Sequence, residues 1–134
     1  TNIEEIALAA ESGGADAISA VNTFLGMAID YKTGDMSLST KFGGVSGPAI
    51  KPLAVAKVHK IYNTIKIPII GMGGISSFKD IIEFLRAGSN LIQVGTLNYR
   101  DPSIINKLYD DLKIFLTKNN IENISDLVGQ YNEN

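Results

Sequence analysis

The sequence has no cysteine among its 134 residues. That absence excludes disulfides, thiolate metal sites and a cysteine nucleophile within these residues. No stretch approaches the roughly 18 consecutive apolar residues of a membrane-spanning helix. No basic segment precedes an apolar one, so no signal peptide is read here and a cytoplasmic protein is expected. Histidine occurs once, at His59, mid-helix beside Lys60, and reads as a surface or edge residue rather than a catalyst. The net charge of -2 excludes little. Its distribution is uneven: Lys32, Lys41, Lys51, Lys57, Lys60 and Lys66 face only Asp35 between Tyr31 and Ile67. These lysines read either as solvated side chains or as a positive field near an anionic ligand. Nucleic acid is not the expected partner, because the whole chain is acidic and no aromatics interleave the lysines.

What is present is a globular composition of ordinary single-domain length, 45% hydrophobic and 19% charged. The hydrophobic period alternates between helix and strand. Thr1 and Glu4 form a capping-box pattern ahead of Ile3, Ile6, Ala7 and Ala10 on one helical face. Gly13 and Gly14 stop that helix. Residues 17–21 read as a strand. Residues 28–31 and 36–39 flank "KTGD" and predict a small hairpin. A helix is expected over 48–64, with Pro52 in its first turn and Leu53, Ala54, Val58, Ile61 and Ile65 as its apolar stripe. A strand over 67–70 carries Pro68 at its start. Ser77 caps a helix over 78–87 that Gly88 stops, with Asp80 in its first turn. A strand over 91–94 ends in Gly95-Thr96. Asp101-Pro102 opens a long helix with Ile104, Ile105, Leu108, Leu112 and Leu116, and a short helix covers 124–128. The Asn-rich tail is expected to fray.

Apolar strands separated by helices call for parallel pairing. Three strands are few for a closed sheet, and a (β/α)8 barrel takes about 250 residues. The fold expected is therefore α/β, the C-terminal half of a TIM (β/α)8 barrel with parallel strands and outer helices. Residues 1–134 are expected to hold approximately strands 6 to 8 with their flanking helices. The N-terminal half is expected to be absent from this chain. Isolated, such a half should be unstable or self-associating, because both sheet edges are open.

In parallel α/β folds, functional groups gather at the C-terminal strand ends. Those ends carry Val21-Asn22-Thr23, Gly71-Met72-Gly73-Gly74 and Gly95-Thr96, and a further cluster, "GGVSG", opens the helix at Pro48. Glycine N–H groups at helix starts bind phosphate. Two short pairs, Gly73-Gly74 and Gly95-Thr96, end consecutive strands, which favours a phosphate site over simple tight turns. A dinucleotide fingerprint fails because Ser76 stands where its last glycine belongs. A nucleophile elbow at Ser46 fails at Pro48. Asn22 and Thr23 offer an amide and a hydroxyl beside these loops. They suit a planar heterocycle with carbonyl and N–H edges, and suggest a nucleotide-like cofactor with a small polar substrate.

"AVNTFLGMAID", "GGVSGPAIKP", "PIIGMGGI" and "IQVGT" together resemble class 1 dihydroorotate dehydrogenases, from Thr1 to about Gly129. The form "GGVSGPAIKP" is similar to the class 1B catalytic subunit. The resemblance implies an FMN-dependent oxidation of dihydroorotate to orotate in pyrimidine (UMP) synthesis. It implies Gly73, Gly74, Gly95 and Thr96 at the FMN phosphate, Gly47 and Val21 at the cofactor, and Asn22 and Thr23 at the orotate. It also implies an electron-transfer subunit with FAD and a [2Fe–2S] cluster delivering to NAD+, within a homodimer or heterotetramer. The family's cysteine base, a lysine and further asparagines belong to the N-terminal half, so no catalytic base is expected in this chain and the chain alone should be inactive. Two other readings stay open: a related FMN barrel of the dihydropyrimidine dehydrogenase type, and a non-enzymatic phosphate-binding half-barrel that dimerises over its exposed strands.

Overall fold

The computed structural model describes residues 2–132. Helix α1 (Ile3–Ser12) leads to strand β1 (Ile18–Ala20). An arm follows, containing β2 (Phe24–Gly26) and β3 (Gly43–Val45). A 3-10 turn, Pro48–Ile50, runs into α2 (Lys51–Tyr62). Then come β4 (Ile69–Met72), α3 (Phe78–Arg86), β5 (Leu91–Gln93), α4 (Thr96–Arg100), α5 (Ile104–Lys118) and a closing 3-10 turn, Ile124–Leu127. Strands β1, β4 and β5 form one parallel sheet in that order. Ala20 pairs with Gly71, and Gly71 with Ile92, so the three share one row.

The sheet is buried on one face only. Ala20, Ile69 and Gly71 point to α2 and α3, where Ala54, Val58, Ile61 and Phe84 are almost wholly enclosed. The next row, Ser19–Ile70–Leu91, points the other way, and Leu91 is 58% exposed there. Helices α1, α2, α3 and α5 stand side by side in that order. Glu11 fixes α1 to the sheet: its Oε1 accepts the N–H groups of Lys66 (2.7 Å) and Ile67 (3.1 Å) just before β4.

The structure departs from several sequence expectations. The Thr1 capping reading lies outside the described residues. Asn2 precedes α1 without a side-chain cap, and Glu4 reaches Lys60 instead, at 3.5 Å. Strand β4 sits two residues later than expected, at 69–72. The shift by two keeps the same side chains on the same face. Gly71 is thereby a strand residue and not part of the loop. It is glycine because an added Cβ would lie 2.8 Å from Phe84 Cδ1 and press on the Ser89 hydroxyl. Gly71→Ala is expected to destabilise the protein by about 1–3 kcal/mol through overpacking. Urea titration reads this, and an unchanged midpoint would refute it.

The hairpin expected around "KTGD" is present as a single antiparallel bridge, Ile29 to Met36. Asp30 closes it by accepting the N–H groups of Lys32 (2.8 Å) and Thr33 (3.0 Å). Sequence periodicity missed the β2–β3 ribbon that carries this hairpin, in which Phe24 pairs with Val45. It also missed α4. The expected helix over 48–64 divides into the 3-10 turn and α2, which stops at Tyr62. His59 is half-buried and meets the Tyr131 ring edge-on at 5.0 Å. Part of the Asn-rich tail lies outside the described residues. Among the described residues no helix is long and apolar enough to cross a membrane.

Candidate functional site: a glycine-walled cleft at the strand ends

The C-terminal ends of β1, β4 and β5 meet the end of β3 around one cleft of about 270 Å3. Val21, Asn22, Thr23, Gly47, Gly73, Gly74, Gly95 and Thr96 all line it. The chain thus brings together all eight residues singled out from its sequence. Ser46, Gln93 and Arg100 line it too. Sequence reasoning weighed Ser46 only as a nucleophile and did not weigh the other two.

Each wall has a local cause. Val21 continues the β1 pairing, its N–H donating to the Met72 carbonyl at 2.8 Å. Asn22 turns its Oδ1 onto the Thr23 N–H at 2.7 Å, which leaves the amide NH2 group as its free donor. Thr23 packs its side chain on Gly44 of β3, where any Cβ would collide with it. Across the cleft, the Thr96 hydroxyl donates to the Ser46 hydroxyl at 3.1 Å, tying the end of β5 to the end of β3.

Gly73 and Gly74 adopt φ of 122° and 79°, which L side chains resist. A Cβ on Gly74 would sit 2.8 Å from both the Gly47 carbonyl oxygen and the Lys51 nitrogen. Gly74 therefore stacks on the turn that starts α2. Gly95 differs. Its φ is -99° and a Cβ there would meet nothing within 4 Å.

Asp80 holds this loop from behind. Its Oδ2 accepts the N–H groups of Ser76 (2.9 Å) and Ser77 (2.8 Å) and both their hydroxyls, each at 3.0 Å. Its Oδ1 accepts Lys51 Nζ at 2.7 Å, and Lys51 also binds Glu83 at 2.8 Å. Burial pushes the Asp80 carboxyl up, but the Lys51 ammonium and the two serines outweigh it and hold the group at about 2. The anion at the start of α3 is the chain's own Asp80, so Ser76 and Ser77 have no N–H to offer a ligand. Lys51, a member of the lysine-rich segment, likewise spends its charge inside the fold.

The donors left for a ligand include those of Gly73-Gly74 and Gly95-Thr96. Among the described residues, the N–H groups of Gly73, Gly74, Gly95 and Thr96 have no acceptor. The rest of the lining is neutral or apolar, including Ile50, Met72 and Leu97, and its only ionisable side chain is Arg100. Unpaired N–H groups beside open space at Gly95 fit the phosphate of a flavin mononucleotide, and the apolar wall fits a ring system. Among the described residues, no group of three or more His, Asp or Glu side chains is placed to hold a metal ion.

The family model for dihydroorotate dehydrogenase matches residues 1–116. The catalytic subunit of dihydroorotate dehydrogenase B (NAD(+)) from Porphyromonas gingivalis is 50% identical over 129 residues, covering 96% of this chain and 42% of that protein. The corresponding subunit from Lachnoclostridium phytofermentans is 46% identical, over 96% of this chain and 43% of that protein. Dihydroorotate dehydrogenase A (fumarate) from Lactobacillus helveticus is 48% identical, over 97% and 42%. The chain thus spans little more than two-fifths of the length of these relatives. Among solved structures, the DHODH of Eimeria tenella in complex with ferulenol superposes with a TM-score of 0.76 at 26% identity, over 95% of this chain and 34% of that one. The parallel strands and outer helices are accordingly part of an α/β barrel. With its cleft at the strand ends and its match over residues 1–116, the chain belongs to the dihydroorotate dehydrogenase family.

Proposed function

We propose that residues 1–134 supply the FMN phosphate cup and part of the orotate pocket of an enzyme that oxidises dihydroorotate to orotate in pyrimidine synthesis. One observation carries this reading: four residues whose N–H groups have no acceptor among the described residues, at two adjacent strand ends, line the cleft that also holds Asn22 and Thr23. Gly73, Gly74, Gly95 and Thr96 would hold the phosphate, and Val21 and Gly47 would flank the cofactor. Bound FMN would take up the electron pair removed from dihydroorotate. Asn22 would present its amide NH2 to a substrate carbonyl or carboxylate, with Thr23 beside it. The base that removes the substrate proton would lie outside residues 1–134.

In this reading the chain is the C-terminal half of the barrel, roughly strands 6 to 8. The remaining strands cover the exposed row Ser19–Ile70–Leu91 and pair the free edges of β1 and β5. The form "GGVSGPAIKP" and the relatives named for NAD(+) favour the class 1B enzyme. That enzyme would work in the cytoplasm with a subunit carrying FAD and a [2Fe–2S] cluster, as a homodimer or heterotetramer. Relatives named for fumarate match equally well, so the acceptor is a separate part of the test.

The full-length protein is expected to show flavin bands in the near ultraviolet and blue, bleached by dihydroorotate without oxygen. Stopped-flow mixing with NAD+ or fumarate then identifies the acceptor. A protein that purifies without flavin and does not bind added FMN would overturn the reading. Bleaching by a reduced nicotinamide and uracil turnover, without dihydroorotate oxidation, would move it to the dihydropyrimidine dehydrogenase type.

A further inference from the structure

Most of the cleft is electrically neutral. Its polar groups are glycine N–H donors, two threonine hydroxyls, the hydroxyls of Ser46 and Ser76 and the amides of Asn22 and Gln93. Against them stands one permanent charge, Arg100, the last residue of α4. We propose that Arg100 is the charged anchor of the ligand's phosphate and sets a preference for phosphorylated over unphosphorylated flavin; this rests on the flavin reading above.

The neighbouring charges leave Arg100 free for that role. The adjacent acid, Asp101, is taken by its own turn. Its Oδ1 accepts the Ser103 N–H (3.0 Å) and hydroxyl (2.5 Å), and its Oδ2 accepts Lys107 Nζ (2.6 Å). Among the described residues no carboxylate pairs with Arg100. Lys51, which leads from the Gly47 turn, is held by Asp80 and Glu83 and is not among the cleft's lining residues. The cleft therefore carries an uncompensated positive charge and no negative one. Neutral N–H donors fix the position of a phosphate. A guanidinium fork adds paired, charge-assisted bonds to two of its oxygens. Such bonds contribute more than neutral ones, and the difference falls entirely on the ligand that carries the phosphate.

The test uses the full-length protein freed of flavin, titrated with FMN and with riboflavin by flavin fluorescence. Arg100→Gln is expected to weaken FMN binding on the order of ten- to a hundredfold, the factor for losing a charged hydrogen bond. Riboflavin binding should stay unchanged, and Arg100→Lys should recover part of the FMN affinity and its salt dependence. Equal FMN affinity in wild type and Arg100→Gln would overturn the inference. So would an equal loss for both flavins, which would mark a role in folding or ring contact. If the wild-type protein binds no flavin, the flavin reading fails separately. Calorimetry with inorganic phosphate then decides on Arg100: binding lost in Arg100→Gln supports the anchor, and binding unchanged or absent overturns it.

Discussion

Asp80→Asn is expected to destabilise the folded full-length protein by about 3 kcal/mol at neutral pH, since it breaks a nearly buried charge pair and weakens four further hydrogen bonds. The Asp80 side chain is only 8% exposed and Lys51 24%, so solvent screens the pair weakly. The sign of the pH dependence follows from the carboxyl. Its folded pKa of about 2 lies below the ordinary 3.8. The charged form therefore stabilises the fold fully above the ordinary value. That contribution, about 2 kcal/mol, drains away as the pH falls from about 4 to about 2. The stability gap between wild type and variant, read from urea titrations, should be constant above about pH 5 and shrink by about 2 kcal/mol towards pH 2. A gap as large at pH 2 as at pH 7, or one below about 0.5 kcal/mol at pH 7, would show that the charged contacts of Asp80 are not the source of stability. The Ser76 and Ser77 N–H groups are then held less firmly, so the Gly73–Gly74 turn loses support and flavin should bind less tightly.

The second large effect separates two glycines that look alike in the sequence. Gly74→Ala places a Cβ at φ 79° against two backbone atoms that have nowhere to go. The left-handed conformation and the overpacking together are expected to cost about 3 kcal/mol and to distort the cleft. Gly95→Ala meets open space and no such constraint. Its stability should change by less than about 0.5 kcal/mol. Its methyl group would nonetheless stand at the cleft, where a phosphate approaches the backbone, and FMN affinity should fall on the order of tenfold, as for one weakened charged hydrogen bond. Denaturation and flavin titration on both variants decide this. If Gly95→Ala unfolded as readily as Gly74→Ala, or bound FMN like wild type, Gly95 would not be a ligand-facing glycine.

The strand and helix order was legible because each element carries its own period: the stripe of α2, the capping serine and Gly88 stop of α3, the apolar run of β5. The cleft was legible because Gly73-Gly74 and Gly95-Thr96 put glycine at the ends of two consecutive strands. What escaped was non-local or too short to show a period. The β2–β3 ribbon pairs Gly26 with Gly43, and glycines carry no strand pattern. Helix α4 has five residues directly after a strand, with no cap to announce it, and it brings Arg100 to the site. The Asp80–Lys51 pair joins positions far apart in sequence. An acid in the first turn of α3 was visible, but its partner across α2 was not.

The register of the sheet also sets how dearly each wall of the cleft is closed. Strand β4 reaches β5 across the short α3 excursion, from Ile70 to Leu91. It reaches β1 only across the whole arm and α2, from Ile18 to Ile69. The longer loop costs about 0.8 kcal/mol more in closure entropy by the logarithmic law. Gly73-Gly74 and Gly95-Thr96 are thus joined by the most local pairing in the sheet, while Val21, Asn22 and Thr23 follow its most distant one. A chain assembling in stages would close the Gly73-Gly74 and Gly95-Thr96 side of the cleft before the side formed by Val21, Asn22 and Thr23.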